Sequence, residues 1–142
     1  MTSEKVVFES SSGRLSWVDN TYLYLTYHDI GTVTQDDTSA FYVAISEQFD
    51  YKVPLVIERI FRYAVSEDAF QFAKDFSPLY LSAIALVDDK LNAGLAQSYA
   101  VDRISRFTPT AGFKTVDAAV DWIRKEQFDS KESPTLEKGL NN

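Results

Sequence analysis

The spacing of apolar residues changes character several times along the chain, and each change predicts an element. At the N-terminal end "KVVFES" and "RLSWVD" are short runs rich in β-branched and aromatic residues, separated by the turn signal "SSG". "YLYLTYHD" follows after "NT". It places Leu23, Leu25 and Tyr27 on one face and Tyr22, Tyr24 and Thr26 on the other, so both faces of this strand carry bulk. In "TQDDTSAFYVAISEQF" the period shifts to that of a helix, with Phe41, Ala44, Ile45 and Gln48 or Phe49 at helical spacing. Thr34 is placed to cap it, and Asp36 and Asp37 stand in the first turn, where negative charge meets the positive end of the helix dipole.

The same alternation then repeats. "VPLVIERIF" is a β-branched run, with Pro54 tolerable at a strand beginning. "SEDAFQFAKDF" carries a helical stripe of Ala69, Phe70, Ala73 and Phe76, which Pro78 is expected to stop. "YLSAIALV" is almost continuously apolar, as a strand covered on both faces should be. "DDKLNAGLAQSYAVDRISR" reads as a third helix, at a cost of about 1 kcal/mol for Gly94 in its interior. "TAGF" is a short strand, and "KTVDAAVDWIRKEQ" is a last helix capped by Thr115 with Val116, Ala119, Val120 and Ile123 on its stripe.

The order is therefore β-β-β-α-β-α-β-α-β-α. An antiparallel meander followed by strand–helix alternation implies an α/β fold, with a mixed, mostly parallel sheet and helices packed on it through right-handed crossovers. Residues 1–126 read as a single domain and 127–142, ending "SPTLEKGLNN", as a polar C-terminal tail.

Composition narrows the chemistry. The 142-residue chain is 45% hydrophobic and 14% aromatic, enough for one packed core. There is no Cys, which excludes disulfides, a thiolate nucleophile and Cys-based zinc sites and fits a reducing, cytoplasmic setting. No run approaches the roughly 20 apolar residues of a membrane span, and the first residues lack the pattern of a signal peptide. A net charge of −7 argues against a nucleic-acid partner. Asp29, Asp36, Asp37, Glu47 and Asp50 form a stretch with no Lys or Arg among them, which reads as a solvated face.

The inventory of reactive groups is thin. His28 is the only histidine, and the adjacent Asp29 would point to the opposite side of a strand, so a solvent-facing strand end is the simpler reading of His28. The five glycines are scattered, with no phosphate-binding pattern, so no nucleotide cofactor is expected. The carboxylate pairs Asp36–Asp37, Glu67–Asp68 and Asp88–Asp89 each precede or open an expected helix, and capping accounts for them without a metal. Arg59 and Arg62 on one side, and Arg103, Arg106 and Lys114 around "FTPTAG" on the other, would make an anion pocket if both segments ended on one sheet edge. Surface charge is the simpler reading. The aromatic middle of the chain, from Tyr22 to Tyr80, is either core or the lining of a pocket for an apolar ligand.

The stretch from Val53 to Ile123, with its turn "AVSEDA", its buried "SAIALV" and its ending "GFKTVDAAVDWI", resembles the small bacterial SpoIIAA-like proteins, near the STAS domains of sulfate transporters and anti-sigma-factor antagonists. The N-terminal strands match in order only. The resemblance implies a non-enzymatic regulatory module that binds a protein partner through the start of the helix after Val65; separately, exposed edge strands and surplus aromatics favour a homodimer. Ser66, Glu67, Asp68 and the nearby Arg62 are the candidate contacts. In the antagonists a serine in an Asp-Ser-Ser-Gly turn there is phosphorylated. Here Ser66 falls on the Asp, Glu67 on the phosphorylated Ser and Ala69 on the Gly, so the phospho-switch is not expected and Ser66 reads as an N-cap. The alternative that the likeness leaves open is a carrier or sensor of a small hydrophobic, lipid-like ligand.

Overall fold

The structure, a computed structural model, describes residues 3–89 and 93–132. Its main body is a six-stranded sheet in the spatial order β1 (Glu4–Glu9), β2 (Gly13–Val18), β3 (Tyr22–Tyr27), β5 (Val53–Glu58), β7 (Leu81–Val87) and β8 (Thr110–Phe113). The first three strands form the expected antiparallel meander. The turn into β3 uses Asp19 and Asn20 in the left-handed region, at φ 53° and 51°, residue types that tolerate it. From β3 onward every neighbour is parallel. The α/β fold with a mixed, mostly parallel sheet is thus as the periodicity predicts.

Each parallel step moves one strand in the same direction, so right-handed crossovers carry α1 (Gln35–Gln48), α2 (Glu67–Tyr80) and α3 (Ala93–Ile104) to one face. The last helix, α4 (Val116–Glu132), returns across the other face over β5, β7 and β8. Alternation within strands divides the core accordingly. Leu23, Leu25, Tyr27, Leu55 and Ile84 meet α1 and α2, whereas Tyr22, Val56, Ala85 and Val87 meet Ala119 and Ile123 of α4. Pro54 lies within β5, but the ladder to β3 begins at Leu55 and the ladder to β7 shifts register at Val53/Pro54, so its missing N–H interrupts little.

One feature escaped the periodicity. Two-residue strands β4 (Thr32–Val33) and β6 (Ala64–Val65) pair in parallel above the sheet, with Ala64 N–H donating to Gly31 O at 2.9 Å and Ser66 N–H to Val33 O at 3.0 Å. Each strand runs directly into a helix cap, so this ladder sets the N-termini of α1 and α2 side by side. At the first, Thr34 and Asp37 form a reciprocal capping box; at the second, Ser66 Oγ accepts from Ala69 N–H at 3.2 Å.

Three sequence expectations need correction. Pro78 does not stop α2, which continues to Tyr80; the residue lies in the last turn, where few backbone bonds remain to be lost. Asp88–Asp89 do not open α3, which starts at Ala93 and has no acidic residue in its first turn. Residues 127–132, expected in the tail, continue α4. Lys90, Leu91 and Asn92, and the tail from 133, lie outside the described residues.

Candidate functional site: a cavity at the carboxyl ends of the parallel strands

The sheet and its three crossover helices do not close on one another. Between them lies a cavity of about 340 Å³. Its floor is Leu25, Leu55, Ile57, Ile84 and Leu86 of the sheet; its walls are Phe41 and Ile45 of α1, Ala69, Phe70 and Ala73 of α2, and Tyr99, Ala100 and Ile104 of α3. The lining is mostly apolar and the volume sits at the small end of ligand pockets, which run from about 300 to 1,000 Å³. Parallel strands bring their carboxyl ends to this region, where ligands of open α/β sheets are bound.

Polar groups enter the lining at defined places. At the ends of β5 and β7, Arg59 Nη1 stands 3.9 Å from Asp88 Oδ2, and Arg59 Nη2 donates to Tyr63 O at 2.7 Å. The guanidinium also lies 4.9 Å from the centre of the Tyr63 ring. Asp88 is only 8% exposed, so its charge is held against that of Arg59 rather than solvated. Deeper in, the hydroxyls of Tyr42 and Ser77 are hydrogen-bonded to one another between α1 and α2. Burial pushes the Tyr63 and Tyr42 hydroxyls up to about 12, and Tyr27 higher still, so the phenols face the cavity uncharged at neutral pH.

Gln97 of α3 closes the β7–β8 side. Its Nε2 donates to Leu86 O and Phe113 O, both at 2.9 Å, tying the helix to the two strands. Gly112 makes this approach attainable: a Cβ there would stand 2.7 Å from Gln97 Cδ.

A second hollow of about 200 Å³ adjoins the first, lined by Phe70, Lys74, Arg103, Arg106 and Phe107. Arg103 lies 3.6 Å over the Phe70 ring and 3.2 Å from Glu67 Oε2, and Arg106 lies 3.0 Å from Asp102 Oδ2. The Phe70 and Phe107 rings meet edge to face at 5.7 Å.

The candidate partner contacts Arg62, Ser66, Glu67 and Asp68 fall outside the cavity, whereas Tyr27, Phe41, Tyr42 and Phe70 of the aromatic middle line it. Ser66 is half-buried as the α2 cap and donates its hydroxyl hydrogen to Asp68, while Glu67, Asp68 and Arg62 are exposed. A hydrogen bond from Gln71 and the nearby Arg103 hold the Glu67 carboxyl below its ordinary value. His28 and Asp29 are exposed just past β3. Of the cations considered for an anion pocket, Arg59 lines the main cavity, Arg103 both hollows and Arg106 the outer one; Arg62 and Lys114 line neither. No cluster of three His, Cys, Asp or Glu suited to a metal occurs among the described residues. Nor is any helix among them long and apolar enough to cross a membrane.

Asp88, Tyr63 and Gln97 were not legible as site residues. Asp88 looked like a helix-capping acid, and Gln97 is an ordinary polar residue on a helix. The one signal available was that Asp88, the first of two carboxylates, stands directly after a continuously apolar strand, the position at which a parallel strand delivers a side chain to its carboxyl end.

The fold has a solved counterpart. An uncharacterized protein from the DUF3478 family with a SpoIIAA-like fold, from Shewanella loihica PV-4, superposes with a TM-score of 0.51 at 14% identity, over 86% of this chain and 93% of that one. This chain therefore has the SpoIIAA-like fold, as the sequence pattern implied; at that identity the likeness concerns architecture. The sequence matches no family profile. It matches no curated protein either.

Proposed function

We propose that this protein is a non-catalytic binding module that holds a small, mostly apolar ligand in the cavity between the sheet and α1–α3. The observation that carries this reading is the cavity itself, about 340 Å³ with a lining of aliphatic and aromatic side chains. Interiors normally pack without such voids, and a wall that forgoes contacts loses stability unless something occupies the space. The few polar groups support binding rather than catalysis. Arg59 and Asp88 are paired with one another, and the Tyr42 hydroxyl is hydrogen-bonded to that of Ser77.

Native mass spectrometry of gently purified protein tests the reading. Wild type should carry added mass, and Ala73→Leu or Ala100→Leu, each extending a side chain into the space, should lose it while keeping the thermal midpoint within a few degrees. Ligand-free wild type across preparations, with no uptake of added apolar probes, would sink it.

A second reading, a protein-docking face at Arg62, Ser66, Glu67 and Asp68, is favoured by the exposed apolar residues beside them: Ile60 at 49%, Phe61 at 42% and Val65 at 53%. Pull-downs with wild type, Phe61→Asp and Glu67→Lys address it. If all three recover the same proteins, this face does not dock.

A further inference from the structure

The two hollows share a wall. Phe70 and Arg103 line both, so the apolar chamber and the outer, cationic hollow are separated by one ring with a guanidinium stacked on it. We propose that the ligand is an amphipathic anion, its apolar body in the chamber and its carboxylate or phosphate head among Lys74, Arg103 and Arg106. This deepens the binding-module reading and rests on it.

Charge distribution is the main argument. The chain carries a net −7, yet three cationic side chains from α2 and the end of α3 converge on one hollow. Glu67 and Asp102 answer two of them, Arg103 and Arg106, and no ion pair to Lys74 occurs among the described residues, so one positive charge is left over. Both ion pairs are with exposed carboxylates, at 67% and 66%, and such contacts are weak enough for a bound anion to displace. Stacking on Phe70 orients the Arg103 guanidinium, and its edge, which donates to the exposed Glu67 carboxylate, already presents the in-plane geometry that suits a carboxylate or phosphate.

The opposite end of the chamber gives the orientation. There Arg59 and Asp88 form an ion pair within the cavity lining. Among the described lining residues the surplus cation, Lys74, lies beyond Phe70, and an amphipath with an anionic head is matched in that direction. The chamber volume, at the low end for ligand sites, fits a medium-length chain better than a long one.

Three probes of one chain length, decanoate, decyl phosphate and decanol, separate the claims when titrated against wild type and the double variant Lys74→Gln/Arg106→Gln. Both substituted residues are exposed, so the variant should fold, which its thermal midpoint will verify. The expected result is roughly a three- to tenfold loss of affinity for at least one of the anions, with decanol changed by less than about twofold. Added salt should weaken the anions alone. The probe with the larger loss identifies the head group. Anions that bind the double variant as tightly as wild type, or losses equal to that of decanol, would overturn the anionic head while leaving the apolar chamber intact. If none of the three binds wild type, this inference and the binding-module reading fall together.

Discussion

The two faces of one sheet have been finished differently. On the α4 face a single helix lies against β5 and β7 with Val56, Ala85, Ala119 and Ile123 fully buried between them, and the rings of Tyr22, Phe113 and Trp122 pack against this cluster. On the other face, α1 meets the sheet through the Phe41 ring, 5.7 Å from that of Tyr27, and further rings pack between β3, the loop after β5, α1 and α2. Tyr27 packs on Tyr63 at 5.1 Å, Tyr42 on Phe72 at 5.9 Å and Phe72 on Phe76 at 4.4 Å. Ala85 and Ala119, both fully buried, let helix and sheet approach closely. Large rings that pack on one another hold the helices apart and leave the chamber. One face closes on its helix, and on the other a chamber remains between sheet and helices.

The sharpest way to break that contrast is Ile123→Ala. On the closed face the deletion opens a cavity that nothing can refill, and urea denaturation should show a loss of about 2 to 5 kcal/mol. A comparable loss from Ala73→Leu on the open face would mean that the two faces are equally packed.

Gln97 tests what holds α3 over the open face. Gln97→Ala leaves two strand carbonyls without their side-chain donor and should cost about 1 to 3 kcal/mol. Gly112→Ala should destabilise too, since its Cβ would stand 2.7 Å from Gln97 Cδ. The double variant should lose less than the sum, because removing the Gln97 side chain also removes the clash. Strict additivity would show that the two residues do not act through one another.

The helix caps distinguish α1 from α2 within the open face. Thr34→Ala breaks a reciprocal box and should cost about 1 kcal/mol or somewhat more, whereas Ser66→Ala removes one cap bond to a backbone N–H, at 3.2 Å, and an exposed bond to Asp68, and should cost less. The reverse ranking, by thermal denaturation, would show that Ser66 does more than cap.

The smallest effect expected is one of pH. Partial burial pulls the Asp37 carboxyl up, but hydrogen bonds from the Ser12 hydroxyl and from the Thr34 N–H and hydroxyl outweigh it and hold the group below its ordinary 3.8. A carboxyl lowered on folding stabilises above its unfolded value and ceases to do so as pH falls through the native one. Wild type should therefore lose more stability than Asp37→Asn between pH 5 and about 2, and the two curves should converge at the acid end. Parallel curves across that range would remove the linkage.

Much of this architecture could be read from the chain. The alternation in "YLYLTY" assigned Leu23 and Leu25 to one face and Tyr22 and Tyr24 to the other, as found. Thr34, Ser66 and Thr115 were legible as caps because a cap needs only a hydroxyl and the next turn's N–H. Pro78 was misread because its cost depends on how many turns remain after it. The β4–β6 ladder left no periodic trace, since two residues are too few to show a period. The candidate contacts around Ser66 came from a likeness of pattern, and they stand on the surface beside the site rather than in it.

Local order was decided by the sequence alone: which segments are extended or helical, where the caps fall, which face of each strand is apolar, and that the sheet is mixed. Those properties depend on neighbours within a few positions, and their physics travels with the chain. The chamber depended on tertiary structure, because it is the space left by residues from six strands and three helices that do not quite meet. The same holds for the pairing of Arg59 with Asp88 and for the convergence of Lys74, Arg103 and Arg106. Distance in space decides a charge's partner and a ring's neighbour, and only the folded chain sets that distance.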